Sequence, residues 1–442
     1  MYLLGTTDLD ITTVFNYELS PVPMSLFKES DHARYTTSKS VLMNKIKHEV
    51  SSNVGNSEVV VIDGGGMLHT SVHWPKEGTV ACLVDGVEKF VRKYLNYSDV
   101  YLIFDRYYEK SIKSDTRCNR IGSFQRSHQL NINSDLPPKD ICLTSNRTKE
   151  ILNELIAKHL LERVCSSNLP NKLMVTSTDK FPEETKMGVR LKRVDLATTF
   201  DEADYIIPQQ VNSAVEEGCC SINVLSDDTD VFVLLCSFFV SKDWSLTNVF
   251  MKSFNITKKV ISINETVNKN LTLIPSLISA HAISGCDSVP MMFGVGKAKA
   301  LEAIKSLPLK CIGSQNAPID TVLTEGRIFV SKCYGMTESD SSKNRYYLSY
   351  TIKFLLIIHR YTIWSRKTDV AKLSARPPTL KTLPPTSESL DLNIRRAHYQ
   401  ALLWQASVTG NPPSLDPCQV KIDTFIFVIQ YNLNLCMLKH NL

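Results

Sequence analysis

The sequence predicts an α/β fold, a three-layer domain around a central, mainly parallel sheet. Three observations carry that expectation. Short, unbroken apolar runs such as Val59–Ile62 and Val100–Phe104 have the texture of strands covered on both faces. Between them lie stretches with apolar residues at helical spacing. In Lys149–Val164, Ile151, Leu152, Leu155, Ile156, Leu160 and Leu161 recur every three or four positions. Acidic residues directly follow the apolar runs, where a parallel sheet presents its carboxyl edge.

Taken in order, residues 1–57 carry no strong periodicity and read as an N-terminal extension. Residues 58–306 form the expected core. Its strands are Val59–Ile62, Val100–Phe104, Lys172–Thr176 and Ile222–Leu225, the last followed at once by a further apolar run, Val231–Leu235. Cys219-Cys220 reads as packing at a strand entry. Residues 307–375 read as a mainly helical region, in which Tyr346–Trp364 is apolar and fits a helix or two strands. Residues 376–442 read as a Pro-rich strap and tail, with a short helix over Leu392–Ala406 around Trp404.

Composition bounds the rest. The 442 residues, 43% hydrophobic and 21% charged, supply ample core and exclude a fully disordered chain. Fifty Lys and Arg against 45 Asp and Glu leave a net charge of +5, so a nucleic-acid footprint has to be local. Twelve cysteines without any CxxC fit neither a zinc ribbon nor a disulfide framework, and read as thiols in a reducing compartment. Met1–Leu26 lacks the basic and apolar regions of a signal peptide, and no run of ~18 apolar residues occurs. The expected location is nuclear or cytosolic, not secreted, with no membrane partner. The sequons at Asn96, Asn146, Asn255, Asn264 and Asn270 are then coincidental.

The chemistry lies in the acidic residues. Asp63 follows the first run, Asp105 the second, and Asp228 and Asp230 the fourth. Glu202 and Asp204, near an expected helix start, and Asp287 in Ser284-Gly285-Cys286-Asp287 complete the set. Gathered carboxylates repel and stay ionised together only when cations neutralise them. Hard divalent ions such as Mg²⁺ or Mn²⁺ prefer oxygen ligands, and two of them can stabilise both the attacking and leaving oxygens of a phosphodiester. Asp228-x-Asp230 would place two carboxylates on the same side of an extended segment.

Five motifs then occur in one order: Val59-Val60-Val61-Ile62-Asp63-Gly64, Tyr101-Leu102-Ile103-Phe104-Asp105, Glu202-Ala203-Asp204, Ser226-Asp227-Asp228-Thr229-Asp230, and Ser284-Gly285-Cys286-Asp287 with Gly294-Val295-Gly296-Lys297-Ala298. Over about residues 58–306 the chain resembles the PIN-like 5′-nuclease superfamily, of flap endonuclease and XPG type, and uncharacterised PIN-like proteins of animal genomes. The resemblance implies a metal-dependent nuclease with one or two Mg²⁺ or Mn²⁺ ions held by Asp63, Asp105, Glu202, Asp204, Asp228, Asp230 and Asp287, the same residues being catalytic. It also implies a helix-hairpin-helix region after Asp287. Three departures stand out: some fifty residues precede the first strand, Asp105 is followed by Arg106 rather than Gly, and Asp204 replaces a Glu.

Basic residues supply the expected nucleic-acid contacts. Lys110, Lys113, Arg117 and Arg120 line one face if helical, and with Arg106 and Arg126 they outnumber Glu109 and Asp115. A solvated helix face explains the same pattern equally well. The resemblance makes this segment an arch that guides a single strand. Gly294 and Gly296 would let backbone amides approach a phosphate, with Lys297 and Lys299 beside them. The resemblance adds duplex binding at this hairpin and a monovalent cation there. Gly64-Gly65-Gly66 lacks both the GxGxxG and the Walker pattern, and His69 and His73 lack HExxH. The expected activity is structure-selective phosphodiester hydrolysis with nucleic acid as partner, DNA ahead of RNA. The alternatives are an inactive nucleic-acid-binding or scaffold protein with this fold, and a single-strand ribonuclease. Protein partners are not legible.

Overall fold

The computed structural model describes residues 11–29, 32–36, 38–51, 56–106, 127–335, 356–364, 379–410 and 413. The chain divides into two compact units, each assembled from separated segments. A sheet unit comprises Met43–Ile274 and Leu403–Pro412; a helical unit comprises Met1–Leu42, Pro275–Leu402 and Pro413–Leu442.

The helices in chain order are α1 (Ile11–Phe15), α2 (Ser40–Ile46), α3 (Gly64–Thr70), α4 (Val80–Leu95), α5 (Lys139–Thr144), α6 (Asn146–Ser166), α7 (Ala203–Glu216), α8 (Thr229–Ser241), α9 (Ile263–Lys269), α10 (Leu277–Ile283), α11 (Lys297–Ser306), α12 (Ile319–Cys333), α13 (356–364) and α14 (Ser387–Ala406). The strands are β1 (His48–Val50), β2 (Val59–Asp63), β3 (Asp99–Ile103), β4 (Leu173–Thr176), β5 (Glu183–Lys186), β6 (Val189–Lys192), β7 (Ser221–Leu225), β8 (Asn248–Lys252) and β9 (Val260–Ser262).

Among the described residues the nine strands form one sheet, in the order β1-β9-β8-β7-β2-β3-β4-β5-β6. Its middle, β8-β7-β2-β3-β4, is parallel throughout, and antiparallel pairs close both edges. The sheet is thus mainly parallel, as the apolar runs predict. The central residues have no hydrophilic alternation because helices cover both faces. On one face Val60, Ile62, Val100, Leu102, Leu173, Val175 and Leu225 pack in one core with α3, α4 and α6. The opposite face, with Val61 and Tyr101 buried, receives α7.

Strand order explains where the site lies. From β2 the chain adds β3 and β4 on one side, then returns to place β7 and β8 on the other. The switch point falls between β2 and β7, paired in register from Val59↔Ile222 to Ile62↔Leu225. Ligand crevices in open α/β sheets open at the carboxyl ends of such a pair.

Two local readings are sharpened. The apolar run Val231–Leu235, which carried no element assignment, lies inside α8, where Val231 through Cys236 are all buried. A helix buried all round has no polar stripe, so its apolar run imitates a strand. The 387–406 helix is also longer than the reading over Leu392–Ala406. Residues 346–355 lie outside the described residues, and 356–364 are helical.

In the helical unit α12 and α14 approach closely. A Cβ on Gly326 would come within 2.7 Å of Ile394, and Arg327 pairs with Asp391 beside that contact. Residues 1–42 of the N-terminal extension belong to this unit, whereas residues 43–57 join the sheet unit and supply β1, which pairs with β9 at the sheet edge. A bridge pairs Phe27 with Ala33, and two backbone bonds tie the extension to the segment after Asp287: Met291 N–H donates to Arg34 O (2.6 Å) and Phe293 N–H to Ser25 O (2.8 Å).

Candidate metal centre

Asp63 ends β2 and starts α3 in one step. Its Oδ1 accepts from Gly66 N–H at 2.9 Å, capping the helix, and its Oδ2 accepts from Ser226 Oγ–H at 3.3 Å. Two of the three glycines have a steric reason. A Cβ on Gly64 would meet the Phe104 ring at 2.4 Å, and one on Gly66 would meet Phe254 at 2.5 Å. They let the helix begin against neighbouring strands rather than cradle a nucleotide. Desolvation by the surrounding protein pushes the Asp63 pKa up to about 7, against the Gly66 hydrogen bond and with the help of Asp105 and Asp228.

Asp105 follows β3, and its Oδ1 accepts from Ala203 N–H at 2.8 Å, at the first residue of α7. A carboxylate there is favoured by the free amides and the dipole of the helix end. Glu202 is the N-cap of α7 and is buried, while Asp204 lies in its first turn. The order of these residues is held by Arg106. Its buried guanidinium donates from Nε to Ser177 O (2.7 Å), from NH1 to Thr198 O (2.7 Å) and Phe200 O (3.1 Å), and from NH2 to Asp179 O (2.6 Å). It joins the turn after β4 to the segment entering α7. Arg106 therefore does not contribute to a solvated basic face. Lys110, Lys113, Arg117, Arg120 and Arg126 lie outside the described residues.

Asp228 is the N-cap of α8, with Oδ1 accepting from Asp230 N–H at 2.7 Å. The pair thus sits on a helix start, not on an extended segment. Asp230 is buried in the first turn. Ser226, which the sequence reading did not single out, links the two strand ends: it donates to Asp63 and accepts from Asp228 N–H at 3.1 Å. Asp227 turns elsewhere and pairs with Lys258 at 2.9 Å.

Among the described residues, Asp204, Asp228 and Asp230 each offer a carboxylate oxygen within 4.8 Å of the others. Two helix starts, α7 and α8, bring these three together at the switch point. Hard oxygen donors at this spacing, one of them buried, suit a divalent cation. Asp63 and Asp105 line the adjoining strand ends and repel one another.

Asp287 belongs to the helical unit, just after α10, where its Oδ2 meets Lys39 Nζ at 2.8 Å. Lys39 escaped the sequence reading, because nothing local marks a lysine in an aperiodic stretch. Farther on, Gly294 has φ +82°, whereas Gly296 is an extended N-cap, and an added Cβ meets nothing within 4 Å at either. Lys299 is exposed. Lys297 is buried and its ammonium donates to His281 O (2.6 Å), Ser284 Oγ (3.1 Å) and Gly285 O, so it is a brace inside the unit and not a surface contact for a strand. His69 closes α3 and His73 lies beyond it, so the two do not share a helix face.

No family model and no curated protein matches the chain. Among solved structures it is similar to human GEN1 in complex with Holliday junction DNA, at 12% identity over 85% of this chain and 77% of that one, with a TM-score of 0.38. It is similar to the catalytic core of Rad2 in complex with DNA substrate, at 12% identity over 81% and 93%, TM-score 0.37. A bacteriophage T5 flap endonuclease with DNA and metal ions gives 13% identity over 77% and 98%, TM-score 0.33. The parallel centre of the sheet, and the acidic residues at the carboxyl ends of β2, β3 and β7, are what the five motifs imply. The protein has an α/β fold built on one mainly parallel sheet, the architecture that the motif resemblance implies.

Proposed function

We propose that the protein hydrolyses phosphodiester bonds in nucleic acid with the help of a divalent cation. The observation that carries this reading is the Asp204, Asp228 and Asp230 group at the sheet's switch point, with Asp63 and Asp105 beside it. Asp204, Asp228 and Asp230 would hold Mg²⁺ or Mn²⁺, with Asp63, Asp105 and Glu202 adding charge around it. A bound cation supplies charge stabilisation for a phosphodiester under attack by water. The chain's own residues fix the carboxylates: Arg106 clasps the entry to α7, Asp105 caps that helix, and Ser226 spans Asp63 and the Asp228 amide.

DNA with duplex structure is the expected substrate. The supporting features are the α11 start with its open glycine backbone and exposed Lys299, and the basic segment 106–126 less Arg106. An inactive scaffold is disfavoured by the setting of Asp63, since a carboxylate desolvated by the surrounding protein and pressed by Asp105 and Asp228 costs stability and brings nothing to a dead site.

The test is cleavage of labelled flap, hairpin and single-stranded substrates in Mn²⁺. Asp228→Asn should lower the rate by ~10³-fold or more while substrate affinity changes little, because it removes charge that acts in the transition state. Cleavage by the variant at the wild-type rate overturns the metal-centre assignment. Cleavage of single strands alone transfers the reading to a ribonuclease or single-strand nuclease.

A further inference from the structure

We infer that Lys39 is the built-in counter-ion of Asp287, so that in this protein Asp287 holds an ammonium group where the motif resemblance implies a metal ion. The inference deepens the nuclease reading and rests on it for the choice of probe.

The pair is well formed. Lys39 Nζ lies 2.8 Å from Asp287 Oδ2, and the two side chains are only 16% and 13% exposed. A carboxylate this enclosed needs a cation, and the chain itself delivers one. Both partners are held by their surroundings. Asp287 sits on a turn whose Gly285, at φ +101°, leaves no room for a Cβ, which would come within 2.6 Å of Met291. Beneath the turn, the buried Lys297 ammonium grips the carbonyls of His281 and Gly285 and the Ser284 hydroxyl.

Lys39 is presented by the extension, which is fastened to the same stretch of chain. Arg34 O and Ser25 O accept from the amides of Met291 and Phe293, and the Arg34 guanidinium lies over the Phe293 ring at 5.4 Å from its centroid. Beyond Lys39, Leu42 of α2 is fully buried. The ammonium is therefore bracketed by anchors on both sides.

The two lysines on this turn have different tasks. Lys297 meets neutral oxygens and braces the backbone. Lys39 meets the carboxylate, and its charge is what a divalent ion would otherwise bring. An ammonium and a divalent ion compete for one carboxylate oxygen, because each needs its lone pairs and each repels the other. The extension thus gives a lower metal requirement than seven ionised carboxylates would demand.

Calorimetric titration of Mn²⁺ into the full-length protein tests this without any substrate. Asp287→Asn should leave Mn²⁺ affinity within about twofold of wild type, since the residue is not a ligand. Lys39→Ala should bind Mn²⁺ ~10-fold more tightly or take up one more ion per chain, because it removes the ammonium charge held at Asp287 Oδ2. Lys39→Arg should behave as wild type, and Lys39→Ala combined with Asp287→Asn should return to the wild-type isotherm. A tenfold or greater loss of affinity in Asp287→Asn overturns the inference, as does an unchanged isotherm in Lys39→Ala. If Lys39→Ala does not fold, Lys39→Met keeps the aliphatic stem. If neither folds, the Asp287→Asn arm alone decides.

Asp228→Asn separates the two readings. Loss of Mn²⁺ binding in that variant with no effect of Lys39→Ala defeats only the counter-ion assignment. Wild-type binding in Asp228→Asn defeats the metal centre, and the absence of binding in every protein defeats both.

Discussion

Asp63 joins structure to chemistry through a single carboxyl group. It caps α3, accepts from Ser226, and stands near Asp105 and Asp228. Its pKa, about 7 in the folded protein, is raised from an ordinary 3.8, so the folded state holds this proton more tightly than the unfolded one. Stability from this group is therefore full below about pH 4 and lost as pH rises through 7. The loss has an upper bound of about 4 kcal/mol, from 3.2 pH units at 1.36 kcal/mol each, and water reaching part of the side chain reduces it. Asp63→Asn should accordingly raise the melting temperature of the metal-free protein above pH 7 and converge with wild type below pH 4. Thermal scans across pH 4–8 in chelator measure that difference. A constant gap would place the effect in packing instead. Asp63, Asp105 and Asp228 were legible as strand-end acids, and the residues that hold them in place were not. Arg106 reads in sequence as one more charge in a basic stretch. Its burial follows from carbonyls at 177, 179, 198 and 200, which only the folded chain assembles. Lys39 and Asp287 are likewise joined by tertiary structure alone.

Among the elements, α11 gives the clearest contrast between two glycines. Gly294 needs its left-handed backbone, and Gly296 does not. Gly294→Val should cost ~1–2 kcal/mol of stability through strain. Gly296→Val should melt within ~2 °C of wild type, yet lower affinity for duplex-containing substrates more than for single strands, by crowding the backbone at the start of α11. Binding measured at one salt concentration, together with a melting curve for each variant, distinguishes these effects. Equal affinity losses on both substrates would remove duplex capture from this element. Element type was legible wherever periodicity was honest. The five parallel strands include the four apolar runs predicted as strands. The β5–β6 hairpin was hidden because its strands are polar or exposed and because Met187 and Gly188, rather than the usual Asn-Gly, supply the two positive φ values of the turn.

For the molecule as a whole, neither unit is a continuous stretch of sequence. The sheet unit takes back Leu403–Pro412 from beyond the helical unit's main segment. In that returning piece Leu403 and Trp404 are buried, and Gly410, at φ +74°, accepts from Thr199 N–H at 3.2 Å. A Cβ on Gly410 would come within 2.6 Å of Ala197 O. A protein ending at Leu402 should therefore lose several kcal/mol of sheet-unit stability, as removal of a buried Trp alone costs ~3–5 kcal/mol. Denaturant melts followed by circular dichroism would show it; an unchanged midpoint would make the segment dispensable. Sequence order alone placed Leu392–Ala406 in a helix after a Pro-rich strap. It carried no sign that the last turns serve a sheet begun hundreds of residues earlier, since such a contact has no local signature.

The returning segment also sets a timetable for synthesis. Chains are made from the amino end, and domains generally fold as units while still emerging. Here the ribosome has released β1 through β9 long before Trp404 appears, and an incomplete parallel sheet exposes apolar surface and unpaired edges during the wait. Every nascent chain must pass through this interval, in which its acidic strand ends are already made and their final packing is not.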